Sequence, residues 1–282
     1  MPKLSIIIPT YNRYFLLKRA ILSITNQKES CDVEIIIVDD CSEKTIDYIG
    51  EFNGHNIKFF RNENNGGVNY SRNKGIKEST GEWIAFLDDD DEYLQDGIFK
   101  ILDTISEFLN KADILLFNCQ RITSTGLSRT GYNFINDNKF TKSSYEAFIF
   151  KEGRGGDSHV VIRKDVFSDP NIFFPEDING FESFAYVRMA RKGYSIFHIN
   201  QVVVKVHLED ENTVHLSGLY RKYPREYLKY LELFLLENYN ILIKRKPVVR
   251  SNYKQLLSLS VRTLNLKKII KFSILYIRCL FF

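Results

Sequence analysis

Cysteine is scarce in this chain, with four among 282 residues (Cys31, Cys41, Cys119 and Cys279), all scattered. No two form a Cys-x-x-Cys pair, and no histidine stands at a metal-site spacing from them. A disulfide framework and a zinc ribbon are both excluded, and the expected setting is a reducing cytoplasm. Long apolar runs are also missing. No stretch reaches the roughly 20 uninterrupted apolar residues that span a bilayer, and the run in MPKLSIIIPTYN is too short for a signal peptide and has no small-residue cleavage site. There is no internal repeat and no low-complexity segment. The last absence is local. After Glu237 the chain has no acidic residue, yet ten of its 39 basic residues lie there, from Lys244 to Arg278. The rest of the chain is therefore net acidic and the end strongly basic, which suggests two different tasks.

What is present suits a large globular domain. At 44% hydrophobic and 26% charged, the chain has ample length for a buried core and is not disordered. Its first third alternates. LSIII, VEIIIVDD, IKFF and EWIAFL read as short buried strands. Between them YFLLKRAILSITNQ, KTIDYIGEF and NYSRNKGIKEST have helical spacing, and DEYLQDGIFKILDTISEFLNKA reads as the next helix. β-Branched runs alternating with helices predict an α/β fold with a mostly parallel, doubly wound sheet. From about residue 113 the pattern becomes mixed α+β. After Pro224 it reads as helical.

In an open parallel sheet, ligands bind beyond the carboxyl ends of the strands. Each early strand here ends in a polar loop: Pro9-Thr10-Tyr11-Asn12-Arg13, then Asp39-Asp40, then Asn64-Asn65-Gly66-Gly67, then four consecutive aspartates, Asp88 to Asp91. Taken singly, the first two fit turns and helix caps as well as a ligand. As ligand groups, Tyr11 would stack on a base, and Thr10 and Asn12 would offer hydrogen bonds. Asp39 or Asp40 would accept from a base N–H or a ribose hydroxyl. Arg72 is either a solvated helix residue or a partner for phosphate and carboxylates.

The aspartates pose the sharpest question, because adjacent carboxylates resist ionising together unless a positive charge is shared among them. On an extended segment Asp88 and Asp90 share a face, while Asp89 and Asp91 point away. Asp91 would then cap a helix starting near Glu92. An Asp-x-Asp pair fits Mg²⁺ or Mn²⁺ held together with the phosphates of a nucleotide. A solvated helix cap is the plainer alternative.

IIIPTYNR, VDD, NNGGVNYSRNKG and GEWIAFLDDDD, in this order and spacing, resemble the inverting family 2 glycosyltransferases of the GT-A fold. The resemblance covers roughly residues 3–215 and is strongest over 3–95. It implies a GT-A domain over 1–220, with a nucleotide-binding half (1–112) and an acceptor half (113–220), followed by a basic helical segment over 221–282. It implies transfer of a sugar from a nucleotide-sugar, most often a UDP-sugar, to a hydroxyl with inversion. By position, Pro9, Thr10, Tyr11, Asn12, Asp39, Asp40, Gly67, Arg72, Asp88 and Asp89 would hold the donor. Asp90, Asp88 and His207 would hold the Mn²⁺ or Mg²⁺ ion. Gly155, Gly156 and Asp157 match an acceptor loop, and Arg188 follows the base at the family's spacing.

The second half departs from the pattern. The family opens a helix with a Glu-Asp pair whose Asp is the base, and this chain has Glu182-Ser183. If Glu182 matches the family Glu, Ser183 takes the base position and serves poorly. If Glu182 matches the Asp, Arg188 and Gly193 fall at the usual spacings. The second register is preferred and makes Glu182 the base. A catalytically silent nucleotide-sugar-binding or scaffold protein is the alternative that the missing pair suggests, and a phosphotransferase built on Asp-x-Asp fits the loop order less well. KKIIKFSILYIRCLFF mixes basic and large apolar residues. It suits a helix at an anionic membrane surface or one packed on the domain, and its apolar ending disfavours nucleic acid. The membrane reading implies a lipid-linked glycan acceptor and a peripheral location at the inner face of the cell membrane.

Overall fold

The structure is a computed structural model that describes residues 3–44, 48–123, 126–134, 138–178, 180–207 and 223–281. The boundary expected between 220 and 221 lies outside the described residues. The chain divides into two compact units, one of residues 1–176 and 185–211, the other of residues 177–184 and 212–282.

The first unit is built on one sheet. β1 (Leu4–Thr10) and β2 (Val33–Asp39) are buried along their whole length, as expected of central strands covered on both faces. β3 (Ile57–Arg61), β2, β1 and β4 (Trp83–Phe86) run parallel in that spatial order. Beyond β4 the sheet changes sense. β10 (Ser158–Arg163) pairs antiparallel with both β4 and β6 (Ile114–Thr123), and β11 (Ile196–His207) runs parallel to β6 with a break in register between Ile199 and Val204. β5 (Glu92–Tyr93) closes the path antiparallel to β11. The remaining strands are β7 (Gly126–Tyr132) on β6, β8 (Phe140–Ser143) on β11, and β9 (Arg154–Gly155) on β7. This is the expected α/β architecture of a central sheet flanked by helices, with its parallel pairings in β3-β2-β1-β4 and β6-β11 and the rest antiparallel.

The helices follow their apolar spacing. α1 (Tyr14–Thr25) buries Leu17, Ala20, Ile21 and Ile24, and α3 (Gly97–Phe108) buries Ile98, Ile101, Leu102, Ile105 and Phe108, the i, i+3, i+4, i+7 pattern of one helix face. α2 (Val68–Glu78) is different, because it buries Asn69, Ser71, Arg72 and Asn73 as well as Ile76. Two expectations change. The segment from Asp91 does not start a helix: Glu92–Tyr93 pair with β11 and α3 begins only at Gly97. In KTIDYIGEF the described part is a short 3₁₀ turn, Tyr48–Phe52. Two short helices complete this half, α4 (Tyr145–Ile149) and α5 (Ser183–Arg191).

The second unit consists of α6 (Pro224–Leu242), α7 (Lys246–Arg262) and α8 (Leu266–Phe281) together with residues 177–184. Pro224 and Pro247 sit in the first turns of α6 and α7, where a missing N–H costs nothing. Leu228, Leu231, Leu235, Val249, Tyr253, Leu256 and Phe272 are buried along the helices. Glu232 on α6 pairs with Lys268 (2.6 Å) and Lys271 (2.8 Å) of α8. Among the described residues no helix is long and apolar enough to cross a membrane.

At the edge of the sheet away from the polar loops, Glu34 of β2 is fully buried and holds several segments together. It accepts from Ser5 Oγ (2.5 Å), Thr80 Oγ1 (2.8 Å) and the Gly81 N–H (3.0 Å), and pairs with Lys58 Nζ (2.8 Å). Burial opposes its charge, but Lys58, Ser5 and Thr80 outweigh burial and lower its pKa to about 2. A carboxylate whose pKa falls on folding stabilises above its unfolded value, and that contribution is lost as pH falls towards the folded one. Glu34→Gln is therefore expected to cost about 3 kcal/mol at neutral pH, in the range for breaking a buried pair. Denaturation at a series of pH values should show the difference between wild type and variant shrinking between pH 4.5 and about 2.

Candidate active site

The polar loops meet at the carboxyl ends of β1, β2 and β4. Asp39 and Asp40, at the end of β2, behave differently. Asp40 spends both oxygens on its own chain: Oδ1 accepts from Asn62 Nδ2 (2.8 Å) and the Gly66 N–H (2.9 Å), and Oδ2 from the Gly67 N–H (2.7 Å). It thereby fixes the loop leading into α2. Gly67 takes a positive φ of 85° at that entry, which favours glycine. Asp39 is fully buried. Its Oδ1 accepts from the Ser42 N–H (3.1 Å) and hydroxyl. Its Oδ2 has no hydrogen-bond partner, and the Arg61 guanidinium stands 3.5 Å away. A buried acceptor left in that state carries a free-energy cost that a donor from a ligand would remove.

The loop after β1 supplies the other wall. Asn12 holds φ at 56°, a left-handed conformation uncommon outside glycine. It is fixed there by its N–H to Ser42 Oγ (2.8 Å) and by Oδ1 accepting from the Glu43 N–H (2.8 Å). Cys41, between Asp40 and Ser42, is also left-handed, at 65°. Pro9 is a buried member of β1, and Tyr11 leaves 45% of its surface exposed.

The aspartates form a tight turn, because the Asp91 N–H donates to the Asp88 carbonyl (3.0 Å). The alternation expected of an extended segment is therefore lost. Asp88, Asp90 and Asp91 each bring an oxygen within 4.8 Å of the others, while Asp89 is drawn away to Thr10 Oγ1 (2.6 Å) and Arg13 (3.0 Å). Arg13 also reaches Asp90 (2.8 Å), and buried Arg72 on α2 reaches Asp88 (2.7 Å). Asp91 does not cap a helix. It accepts from the His207 N–H (3.2 Å), and the His207 ring meets Glu92 at 2.8 Å.

Electrostatics at this turn are costly. Burial raises Asp89 to about 6 despite Thr10 and Arg13. Burial, then Asp88, raises Asp90. Burial, then Asp88 and Asp90, raises Asp91 to about 9, and Asp157 adds to it. Burial opposes the charge of Arg13, but Asp89 and Asp90 prevail and raise its pKa. Two like charges about 4.8 Å apart repel by on the order of 3–4 kcal/mol at an effective dielectric near 20. Three hard oxygen donors under that strain are a donor set that fits Mg²⁺ or Mn²⁺.

Of the residues expected on the acceptor side, Asp157 is the one linked to the same turn. Asp157 pairs with Arg121 of β6 (2.5 Å), and its effect on Asp91 sets it in the field of the carboxylates. Gly156 takes φ of 89°, and a Cβ there would strike Thr130 Oγ1 at 2.2 Å. Gly155 pairs with Gly131 across β9 and β7. Below the turn, buried His159 meets the Tyr93 hydroxyl at 3.0 Å, and burial lowers its pKa to about 3. Arg188 on α5 donates to the Asn171 carbonyl (3.3 Å).

Glu182 belongs to the second unit, in the residue before α5. Phe181 precedes it with φ at 58° and stacks on Tyr230 at 4.7 Å. Within the first unit, sequence reasoning had given Arg13 and Arg121 no role and read Asp91 as a cap. A signal existed for Arg13: four consecutive carboxylates demand nearby cations, and it sits three residues after Thr10.

The family model described as glycosyl transferase family 2 matches residues 5–168. Over 246 residues, 84% of this chain and 75% of the relative, the chain is 32% identical to the GalNAc(5)-diNAcBac-PP-undecaprenol beta-1,3-glucosyltransferase of Campylobacter jejuni. It is 22% identical over 244 residues to the poly(ribitol-phosphate) beta-N-acetylglucosaminyltransferase TarS of Staphylococcus aureus, covering 85% of this chain and 41% of TarS. The crystal structure of S. aureus TarS 1–349 with UDP-GlcNAc has the same fold, at a TM-score of 0.68 and 21% identity over 91% of this chain and 73% of that one. At that identity the likeness bears on the fold alone. Together with the family match, it makes this chain a glycosyltransferase of the GT-A fold, belonging to glycosyl transferase family 2.

Proposed function

We propose that this glycosyltransferase moves a sugar from a UDP-sugar to a hydroxyl of a growing lipid-linked glycan, with inversion and with a divalent cation. The observation that carries the donor reading is the meeting, at one sheet edge, of the buried Asp39 Oδ2, which accepts no hydrogen bond and has Arg61 at 3.5 Å, with the Asp88–Asp90–Asp91 carboxylates. A base N–H suits the first and a cation with its diphosphate suits the second. TarS, solved with UDP-GlcNAc, supports the choice of uridine. The Campylobacter relative, which acts on an undecaprenol-linked glycan, supports the lipid-linked acceptor.

In this reading Asp39 accepts from the base, Tyr11 stacks on it, and Thr10 with Arg13 keeps Asp89 from crowding the site. Asp88, Asp90 and Asp91 would hold Mn²⁺ or Mg²⁺, with His207 placed beside them by its bond to Asp91. When bound, such an ion supplies Lewis-acid neutralisation of charge on a departing diphosphate. Arg72, tied to Asp88, is placed to stabilise the same charge as it develops. Glu182 takes the acceptor hydroxyl proton while that oxygen attacks the anomeric carbon and the bond to the diphosphate breaks. Asp157, Gly155 and Gly156 form the acceptor-side loop, with Arg188 following the base on α5.

Thermal shift and nucleotide release with UDP-glucose and UDP-GlcNAc, in Mn²⁺ or EDTA, test the donor and the cation. One donor should stabilise the protein with metal and fail to do so with EDTA. Binding that ignores EDTA would remove the cation from the site. Asp39→Asn should weaken UDP about 10- to 100-fold, the range for a hydrogen bond to a charged group.

For Glu182→Gln the turnover should fall about 10²- to 10⁴-fold, the span of general-base help, with donor binding unchanged. A variant that keeps full turnover places the base elsewhere. If the wild type binds donor yet never releases nucleotide with any acceptor, the chain is a silent nucleotide-sugar-binding protein, the alternative suggested by the missing Glu-Asp pair.

A further inference from the structure

We infer that one face of α8 docks on an anionic membrane surface. Leu266, Ile270, Ile274 and Ile277 are 74%, 64%, 48% and 52% exposed. At 3.6 residues per turn they fall within an arc of about 80°. Lys267, Arg278 and Lys271 occupy the next about 40° of arc beyond a gap of about 20°. The opposite side anchors the helix: Phe272 is buried, and Lys268 pairs with Glu232 of α6. Val261 and Leu264, just before α8, are 52% and 85% exposed as well.

Large aliphatic residues scattered singly on a surface need no explanation, but a contiguous helical stripe of them does. The charge beside the stripe decides the partner. A basic fringe next to an apolar ridge matches headgroup phosphates over an acyl boundary, with the helix lying in the interface plane. The absence of any acidic residue after Glu237 leaves nothing in that part of the chain to repel such a surface. α8 has 16 residues and carries four basic ones, Lys267, Lys268, Lys271 and Arg278, so it lies on the bilayer and does not cross it. This inference concerns the second unit alone and does not depend on which sugar or acceptor the enzyme uses.

The test is co-sedimentation of the full chain with vesicles of phosphatidylcholine alone or mixed with phosphatidylglycerol. Binding is expected to the mixed vesicles, to weaken with salt, and to be slight on the neutral ones. Ile270→Ser with Ile274→Ser should lower binding at least roughly tenfold, from the apolar area withdrawn from the lipid. Lys267→Gln with Arg278→Gln should lower it roughly 25-fold on anionic vesicles only, about fivefold per charge. All four positions are exposed, so an unchanged melting temperature and helix content by circular dichroism confirm that the variants are folded. No sedimentation of wild type, equal binding to both vesicles, or binding indifferent to the serine pair each overturns the inference. So does a lipid-free dimer that the serine pair dissociates, which would make the face an interface between copies.

Discussion

Everything at the donor edge depends on keeping consecutive carboxylates close together inside a protein. Asp89 and Asp90 are nearly buried, and burial is the first cause of the raised pKa at Asp89, Asp90 and Asp91. A chain gains nothing in stability from such a cluster. Exposed side chains at the end of β4, such as Asp88, are solvated at little cost, whereas Asp89 and Asp90 are drawn inward and compensated by Arg13 and Thr10. The compensation is partial, since burial is offset far better at Asp89, which has two partners, than at Asp91. That imbalance leaves Asp91 the least compensated carboxylate of the turn. A cluster short of positive charge is more readily explained by a ligand than by folding.

Backbone strain points to the same edge. Among the described residues, five non-glycine positions take a positive φ, and two of them, Asn12 and Cys41, lie in the first two loops of that edge. Asn12 and Cys41 are held by the hydrogen bonds that Ser42 and Glu43 make between the first two loops. Their cost, on the order of 1–3 kcal/mol each, is borne by contacts that also orient Asp39. At the other edge of the sheet Glu34 shows the contrast. There a buried carboxylate receives enough donors to lower its pKa, so its role is to hold strands together, and nothing is left unsatisfied for a ligand.

The strands β1 to β4 were legible because buried parallel strands are continuous apolar runs, and the loops were legible because each breaks such a run with groups no core would keep. What escaped depended on long-range pairing. Glu92–Tyr93 looks helical in a sequence that continues into α3, yet β11 captures it, and local propensity loses to a ladder formed with residues more than a hundred positions away. The antiparallel insertion of β10 between β4 and β6 has no local signature either. Asp91 was misread for a related reason: the period-2 rule assumes extended backbone, and the hydrogen bond from Asp91 to Asp88 makes a turn instead. Gly156 stands out in the sequence as one of a run of glycines, but its fit against Thr130 is visible only in three dimensions.

The charge asymmetry of the sequence now has a physical division. Four consecutive acidic groups stand where they are hard to ionise, at the end of β4, and a site built of carboxylates gains from any cation it can hold. The basic residues of the last helices face the opposite problem. Glu232 meets two of them, Lys268 and Lys271, and it is the last but one acidic residue before the chain becomes exclusively basic. If these helices served only to pack on one another, the apolar positions would lie mostly inward, as Leu228, Leu231 and Leu235 do on α6, where Leu236 stands outward. α8 instead buries Phe272 and leaves Leu266, Ile270, Ile274 and Ile277 outward beside Lys267 and Arg278. Helix packing alone does not explain that reversal, whereas a surface that is apolar below and anionic above accounts for both halves of it.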